Sequence, residues 1–287
     1  MRGLTIFTGI LFAIVASADT HSGSYETALS HYNHTDYAGA AAILKSAPEN
    51  PRSLQLLGRC YLMDADFGAA SASLEKASAL EPDSSMTLTW LGRAYGRRAE
   101  TSFAITALNY AIKARQAFEK AVKLDPRNYE AVNDLFEFYL QAPGIVGGGV
   151  AKARTLLPLI AQNDPAEAYF AEARIAEVNK EFPAAEAELR RAVQSSPQSA
   201  GRNLDLARFL FKRGQYDESE KYFERAGTVA PSARKVWFVR AQCYIHGKRN
   251  IEQARDLLRR YLAAKDLTPD DPPRFEAVKL LKQSDGM

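Results

Sequence analysis

The sequence is poor in the residues that most often carry chemistry. Two cysteines, Cys60 and Cys243, are too few for a disulfide framework. The histidines number four, His21, His31, His34 and His246. No carboxylate-rich motif of metal-site spacing accompanies His31-x-x-His34 and the nearby His21, so they are read as exposed histidines near a terminus. Charge of one sign is scarce too. Thirty-seven basic and 34 acidic residues leave a formal charge of +3, with no polybasic run, which excludes the electrostatic footprint of a nucleic-acid binder. Apolar runs are short beyond the N-terminus, so nothing downstream of it is built to span a bilayer. Gly144 to Lys152, GIVGGGVAK, lacks the Gly-Lys-Ser/Thr ending of a phosphate loop and follows a helical pattern rather than a strand. No nucleophile elbow or Ser/His/Asp arrangement stands out. The expectation is a protein without cofactor or metal, and not an enzyme.

What is present begins with an export signal. Arg2 supplies a positive end, Leu4 to Val15 an apolar stretch, and Ala16-Ser17-Ala18 a cleavage site of small residues, which predicts a secretory signal peptide over 1–18. No cysteine follows it, so the lipoprotein reading fails. The predicted location is exported, in the periplasm, with membrane contact only if the signal segment stays uncleaved.

The rest of the chain is a repeat. In Pro51 to Ser84, Leu54, Leu57-Gly58 and Tyr61 are followed by Ala70, Leu74, Ala77 and Pro82. Counting Pro51 as position 1, these are positions 4, 7, 8, 11, 20, 24, 27 and 32. Two short helices form a hairpin in which Gly58, Ala70 and Ala77 permit close approach. Leu54, Leu57, Tyr61 and Leu74 fill the space between helices, and Pro82 ends the second. Such a hairpin cannot bury its apolar face alone, so neighbours must stack. Leu88, Leu91-Gly92, Tyr95, Ala114, Phe118, Ala121 and Pro126 repeat the set. Leu206-Ala207, Tyr216, Phe223, Ala226 and Pro231 do so again.

These positions resemble the tetratricopeptide repeat (TPR), and the resemblance covers nearly all of 19–287. It implies an all-α, right-handed solenoid of about seven helix-turn-helix repeats. The first is degenerate, at about 22–50. Further repeats follow at 51–84, 85–128, 129–165, 166–199, 200–233 and 234–268, and then a capping helix at about 272–283. Leu91-Gly92-Arg93-Ala94-Tyr95 with its long insert, and Gln141-Ala142-Pro143-Gly144 with Gly147-Gly148-Gly149, also resemble a subset of exported bacterial TPR proteins without assigned activity. In that frame the two cysteines lie five repeats apart. At one helix spacing per repeat this is roughly 40–50 Å, against the ~7 Å a disulfide requires, so two separate thiols are predicted.

The resemblance also implies where a ligand would lie. Positions 2, 5, 9, 12 and 13 of TPR first helices face the concave groove. That face would hold Arg52, Asn133 and Phe238. Arg59, Arg93, Arg174 and Arg208 would form a ladder at position 9, and Arg97 and His246 fall at position 13. A row of guanidinium groups favours carboxylates, unless groove acids such as Glu137 and Glu177 occupy them. The predicted partner is an unidentified protein or peptide of acidic character, held by a scaffold or adaptor of the bacterial envelope. The alternatives are a small-ligand or cell-wall-fragment binder and an accessory subunit of an envelope enzyme. Repeats three and four carry extra residues between their two helices, so both inserts should emerge on one edge and touch. Phe103, Ile105 and Tyr110 come from the first. Pro143 with Gly147, Gly148 and Gly149 comes from the second, its backbone N–H groups open to a close-approaching partner. Either the apolar insert packs over the glycine loop or the two form an edge site.

Overall fold

The computed structural model describes residues 23–286, so the signal-peptide reading of 1–18 and His21 lie outside the described residues. Within them the chain is helical throughout and contains no strand. Helices α1 (23–33) and α2 (Tyr37–Ser46) form the first hairpin, α3 (Pro51–Met63) and α4 (Phe67–Leu80) the second, and α5 (Ser85–Thr101) and α6 (Ala104–Leu124) the third. The fourth opens with α7 (Tyr129–Gln141). Its second half is broken into a 3-10 turn (Gly144–Val146), α8 (Val150–Arg154) and α9 (Leu157–Asn163). Three regular hairpins follow: α10 (Pro165–Val178) with α11 (Phe182–Ser195), α12 (Ala200–Lys212) with α13 (Tyr216–Val229), and α14 (Lys235–His246) with α15 (Ile251–Ala263). Helix α16 (Arg274–Ser284) ends the array.

Local sequence starts these helices. Asn50, Asp66, Ser84, Asn128, Asp164 and Ser199 each accept a backbone N–H at a helix N-terminus, satisfying one of the donors a helix leaves unpaired there. Pro51 and Pro165 occupy first-turn positions, where the missing N–H costs nothing. The turns inside the hairpins share one design. Thr35, Ala65, Lys180, Gly214 and Lys248 all have positive φ, between 48° and 78° for the set that includes Asn250. After each, a backbone N–H reaches back five residues: Asp36 to His31, Asp66 to Tyr61, Glu181 to Ala176, Gln215 to Leu210 and Arg249 to Tyr244, all 2.8–2.9 Å. This is the Schellman closure of a helix C-terminus. It occurs in hairpins one, two, five, six and seven, and the two hairpins with inserts depart from it.

Packing within hairpins depends on the small residues. A Cβ on Gly58 would lie 2.5 Å from Leu74, and one on Gly92 would lie 2.5 Å from Phe118. Leu54, Leu74, Leu91, Phe118, Leu135, Leu189, Leu206 and Phe223 are buried along the stack. At ~25 cal/mol per Å2 of apolar surface removed from water, such burial dominates the stability of the array.

The insert of the third repeat is not a loop. It lengthens both helices, α5 to 17 residues and α6 to 21, so the hairpin projects beyond its neighbours and turns at Ser102 and Phe103. Phe103 is 92% exposed and Ile105 86%.

The array also curls until its ends meet. Helix α16 covers the last hairpin with Ala277 and Leu280, and its first turn then reaches hairpins two and three. Phe275 packs edge-on to Phe67 with ring centroids 6.2 Å apart, and Glu276 pairs with Arg97 at 3.2 Å. Helix α16 thus packs on the last hairpin and touches hairpins two and three through the Phe275 ring and the Glu276 carboxylate.

Candidate groove and insert edge

First helices of successive repeats touch one another, α3 on α5, α5 on α7, α10 on α12 and α12 on α14, whereas successive second helices make no contact of comparable extent. A layer whose members are closer together is the inner layer of a curved stack, so α3, α5, α7, α10, α12 and α14 line the concave face.

Half of the arginine ladder on this face is occupied. Arg93 donates to Asp134 at 2.6 Å and pairs with Glu130 at 2.9 Å. Arg174 pairs with Glu137 at 3.2 Å and Glu177 at 3.6 Å. Residues outside the expected set complete the pattern: Arg202 lies 2.8 Å from Glu167 and 3.5 Å from Asp205. Burial pushes the Asp205 carboxyl above the usual carboxylate range, opposed by the nearby Arg202, Arg208 and Arg174. The expectation of a row of open guanidinium groups is therefore corrected for Arg93 and Arg174. Acids at positions 2 and 6 of the first helices, Glu130, Asp134, Glu167 and Asp205, were the available sequence signal.

Two ladder members lack a carboxylate. The Arg59 guanidinium stacks on Tyr32 and on Trp90, 4.6 Å from each ring centroid, and donates to the Tyr32 hydroxyl at 3.2 Å. Its buried Nε has no acceptor among the described residues, and the same holds for Nε of Arg208. Asn133 is half-buried. Arg52 lies over the Tyr25 ring at 3.9 Å and near Glu26, at the start of the array. Arg97 is turned to Glu100 and Glu276, where the ends meet. Phe238 is a correction: it is 4% exposed and packs on Tyr261 at 5.6 Å. Helix α16 lies against α14 and converts what would be groove lining into core. His246 is exposed and borders a cavity with Arg208, Lys212 and Gln242. Both cysteines are free and buried, and burial pushes the Cys60 thiol up to about 12 and Cys243 up to about 11, which leaves them unreactive at neutral pH.

The two inserts border one cleft, and the glycine loop is tied to α6 below the first insert, whose tip residues Phe103 and Ile105 stay exposed. Arg115 of α6 donates through Nε to the Val146 carbonyl at 3.0 Å, and Lys152 donates to the Gly147 carbonyl at 2.9 Å. Tyr110 stacks on Tyr95 at 6.0 Å beneath Arg98. Pro143 ends α7 and, with Leu108, Ala111, Phe138 and Val146, lines a mostly apolar cleft of about 470 Å3. The open N–H groups expected of the glycine loop are absent. Gly147 donates to Gly144 at 2.9 Å, Gly148 to Pro143 at 3.2 Å and Gly149 to Tyr139 at 2.6 Å. Gly147 and Gly149 have φ of 92° and 145°, and a Cβ on Gly148 would lie 1.8 Å from the Ala142 carbonyl oxygen. Glycine is required here by the fold of the loop itself.

Two family models described as tetratricopeptide repeat match the sequence, over residues 147–200 and 179–243. No curated protein matches it. Among solved structures, a tetratricopeptide repeat protein from Parabacteroides merdae is similar with a TM-score of 0.59 at 15% identity, covering 93% of this chain and 99% of that one. A thermophilic TPR protein from Thermus thermophilus is similar with a TM-score of 0.53 at 18% identity, covering 69% of this chain and 98% of that one. With the hairpin positions, the stacked first helices and these matches agreeing, the chain belongs to the tetratricopeptide-repeat family.

Proposed function

We propose that this protein is a non-catalytic scaffold of the bacterial envelope, exported by its N-terminal segment, that holds a protein or peptide of acidic character in its concave groove. Arg59 carries this reading: a guanidinium held flat between two aromatic rings, with a buried N–H unmet and no carboxylate paired to it. Stacking fixes the planar fork in place, so a carboxylate arriving from a partner meets a donor already oriented. The paired acids and arginines beyond it set register along the groove and reject ligands that leave them unmatched.

The test is capture of partners from an envelope extract by the wild-type chain and by Arg59→Ala at two salt concentrations. A partner retained by wild type, weakened by salt and lost by Arg59→Ala is the expected result. Retention that ignores both changes contradicts an acidic groove ligand. A second reading, a small apolar ligand at the insert edge, is favoured by the 470 Å3 cleft between Leu108 and Pro143.

A further inference from the structure

Apart from Arg59, the charge balance of the groove fails at Arg208. Between α12 and α14 lies a cavity of about 490 Å3 whose walls include Arg208, Phe211, Lys212, Tyr216, Gln242 and His246. No aspartate or glutamate lines it. We propose that this cavity is an oxyanion site, the seat of a carboxylate or phosphoryl group carried by the groove ligand; it rests on, and deepens, the reading of an acidic partner.

The donors Arg208, Lys212, Gln242 and His246 are assembled, and of the four only Lys212 has an acidic partner, Glu177 at the limit of ion-pair distance, 4.0 Å. Arg208 and Lys212 are one helical turn apart on the same face of α12. Arg208 makes no side-chain hydrogen bond or ion pair among the described residues, and its Nε is sealed from solvent without an acceptor. Leaving such a donor unmet is unfavourable. Every other groove arginine beyond Arg59 has a carboxylate within 3.6 Å. Gln242 and His246, one turn apart on α14, also keep their side-chain donors unspent among the described residues. The nearest acids of the groove, Asp205 and Glu177, line the adjoining cavity, a wall of which Arg208 and Lys212 share, and Glu220 is bound to Arg240 and Tyr244.

The floor is built to hold these donors. Phe211 packs edge-on to Tyr216 at 5.0 Å, and Gly247 lies flat against Phe211, where a Cβ would come within 2.5 Å of the ring. Arg249 lies 4.0 Å over the Tyr216 ring and holds it in place from outside the cavity wall. Lys212 and His246 close their helices, where a basic residue is favoured by the helix dipole in any case. That explanation does not reach Arg208, which sits in mid-helix. Glu177 and Asp205 offset part of the charge of Lys212 and Arg208 from the adjoining side, and an anion seated in the acid-free cavity pairs with the guanidinium, ammonium and amide donors that face it.

The experiment titrates the chain from residue 19 onward with inorganic phosphate and, separately, with a decaglutamate peptide at low salt. Affinity is read by calorimetry and the site by the ring resonances of His246, assigned with His246→Asn. The expected result is saturable binding of at least one probe with His246 shifted, weakened about tenfold by Arg208→Gln and more modestly by Lys212→Gln. Phosphate binding alone identifies a phosphoryl ligand, and decaglutamate binding alone an acidic peptide; either supports an oxyanion site. Lys212 is exposed, so its variant tests the site even if Arg208→Gln does not fold. Absence of binding by both probes, or binding that leaves His246 unshifted and both variants unaffected, overturns it. Because the probes need no natural partner, that failure is distinct from failure of the groove reading, which shows instead as anion binding intact and no captured partner.

Discussion

At the residue scale, the hairpin turns are where the sequence conceals most. Leu57-Gly58 and Leu91-Gly92 announce themselves because only glycine leaves room for Leu74 and Phe118. The left-handed residues at Thr35, Ala65, Lys180 and Lys248 give no such signal, since repeated closure of the turn imposes a conformation their side chains disfavour by roughly 1–2 kcal/mol. Ala65→Gly should therefore stabilise the protein by about 1 kcal/mol, seen as a melting temperature raised by about 2–4 °C; a lowered one would contradict the strain. Gly148→Ala should do the reverse. Its methyl group meets backbone rather than a movable side chain, so a loss of at least about 2 kcal/mol is expected in denaturant unfolding, and unchanged stability would refute the reading of the loop as structural.

At the element scale, a tyrosine from one repeat is tied to a glutamate of the repeat before it. Tyr95 donates to Glu75 at 2.7 Å, Tyr139 to Glu119 at 2.8 Å and Tyr244 to Glu220 at 2.6 Å. Position 11 was legible as aromatic packing, but its hydroxyl bond was not, because the acceptor comes from a different repeat. Burial, and then the bond to the carboxylate, raise all three tyrosines above the ordinary value of 10.0, Tyr139 and Tyr244 to about 12. A folded-state pKa above the unfolded one means that this stability is complete below pH ~10 and lost as pH rises through about 12. Denaturant midpoints should hold steady from neutral pH to about 10 and then fall together with the appearance of tyrosinate absorbance. A fall well below pH 10 would assign alkaline unfolding to other groups. The inserts, by contrast, were legible in length and side. Their form was not, since the same extra residues serve equally well to lengthen two helices or to make a loop.

At the scale of the whole molecule, the repeat pattern specified a stack but not how far it winds. Nothing in Phe67, Arg97, Phe275 or Glu276 taken singly marks them as partners, and they meet only because small rotations accumulate over the intervening hairpins. The same winding explains why the position rule failed at Arg97, diverted to Glu276, whereas at Phe238 it failed locally, because α15 and α16 bury that ring in the last core cluster. It also gathers the first helices into one inward face, and the account depends on ligands entering there. The direct measurement places a photo-crosslinking residue at Asn133, half-buried on the inner helix α7, and in a second chain at Lys123, exposed on the outer helix α6. Each chain is then illuminated in its host cell. A discrete protein adduct at position 133, absent at 123, is the predicted result. An adduct at 123 with none at 133 would contradict a groove-binding scaffold.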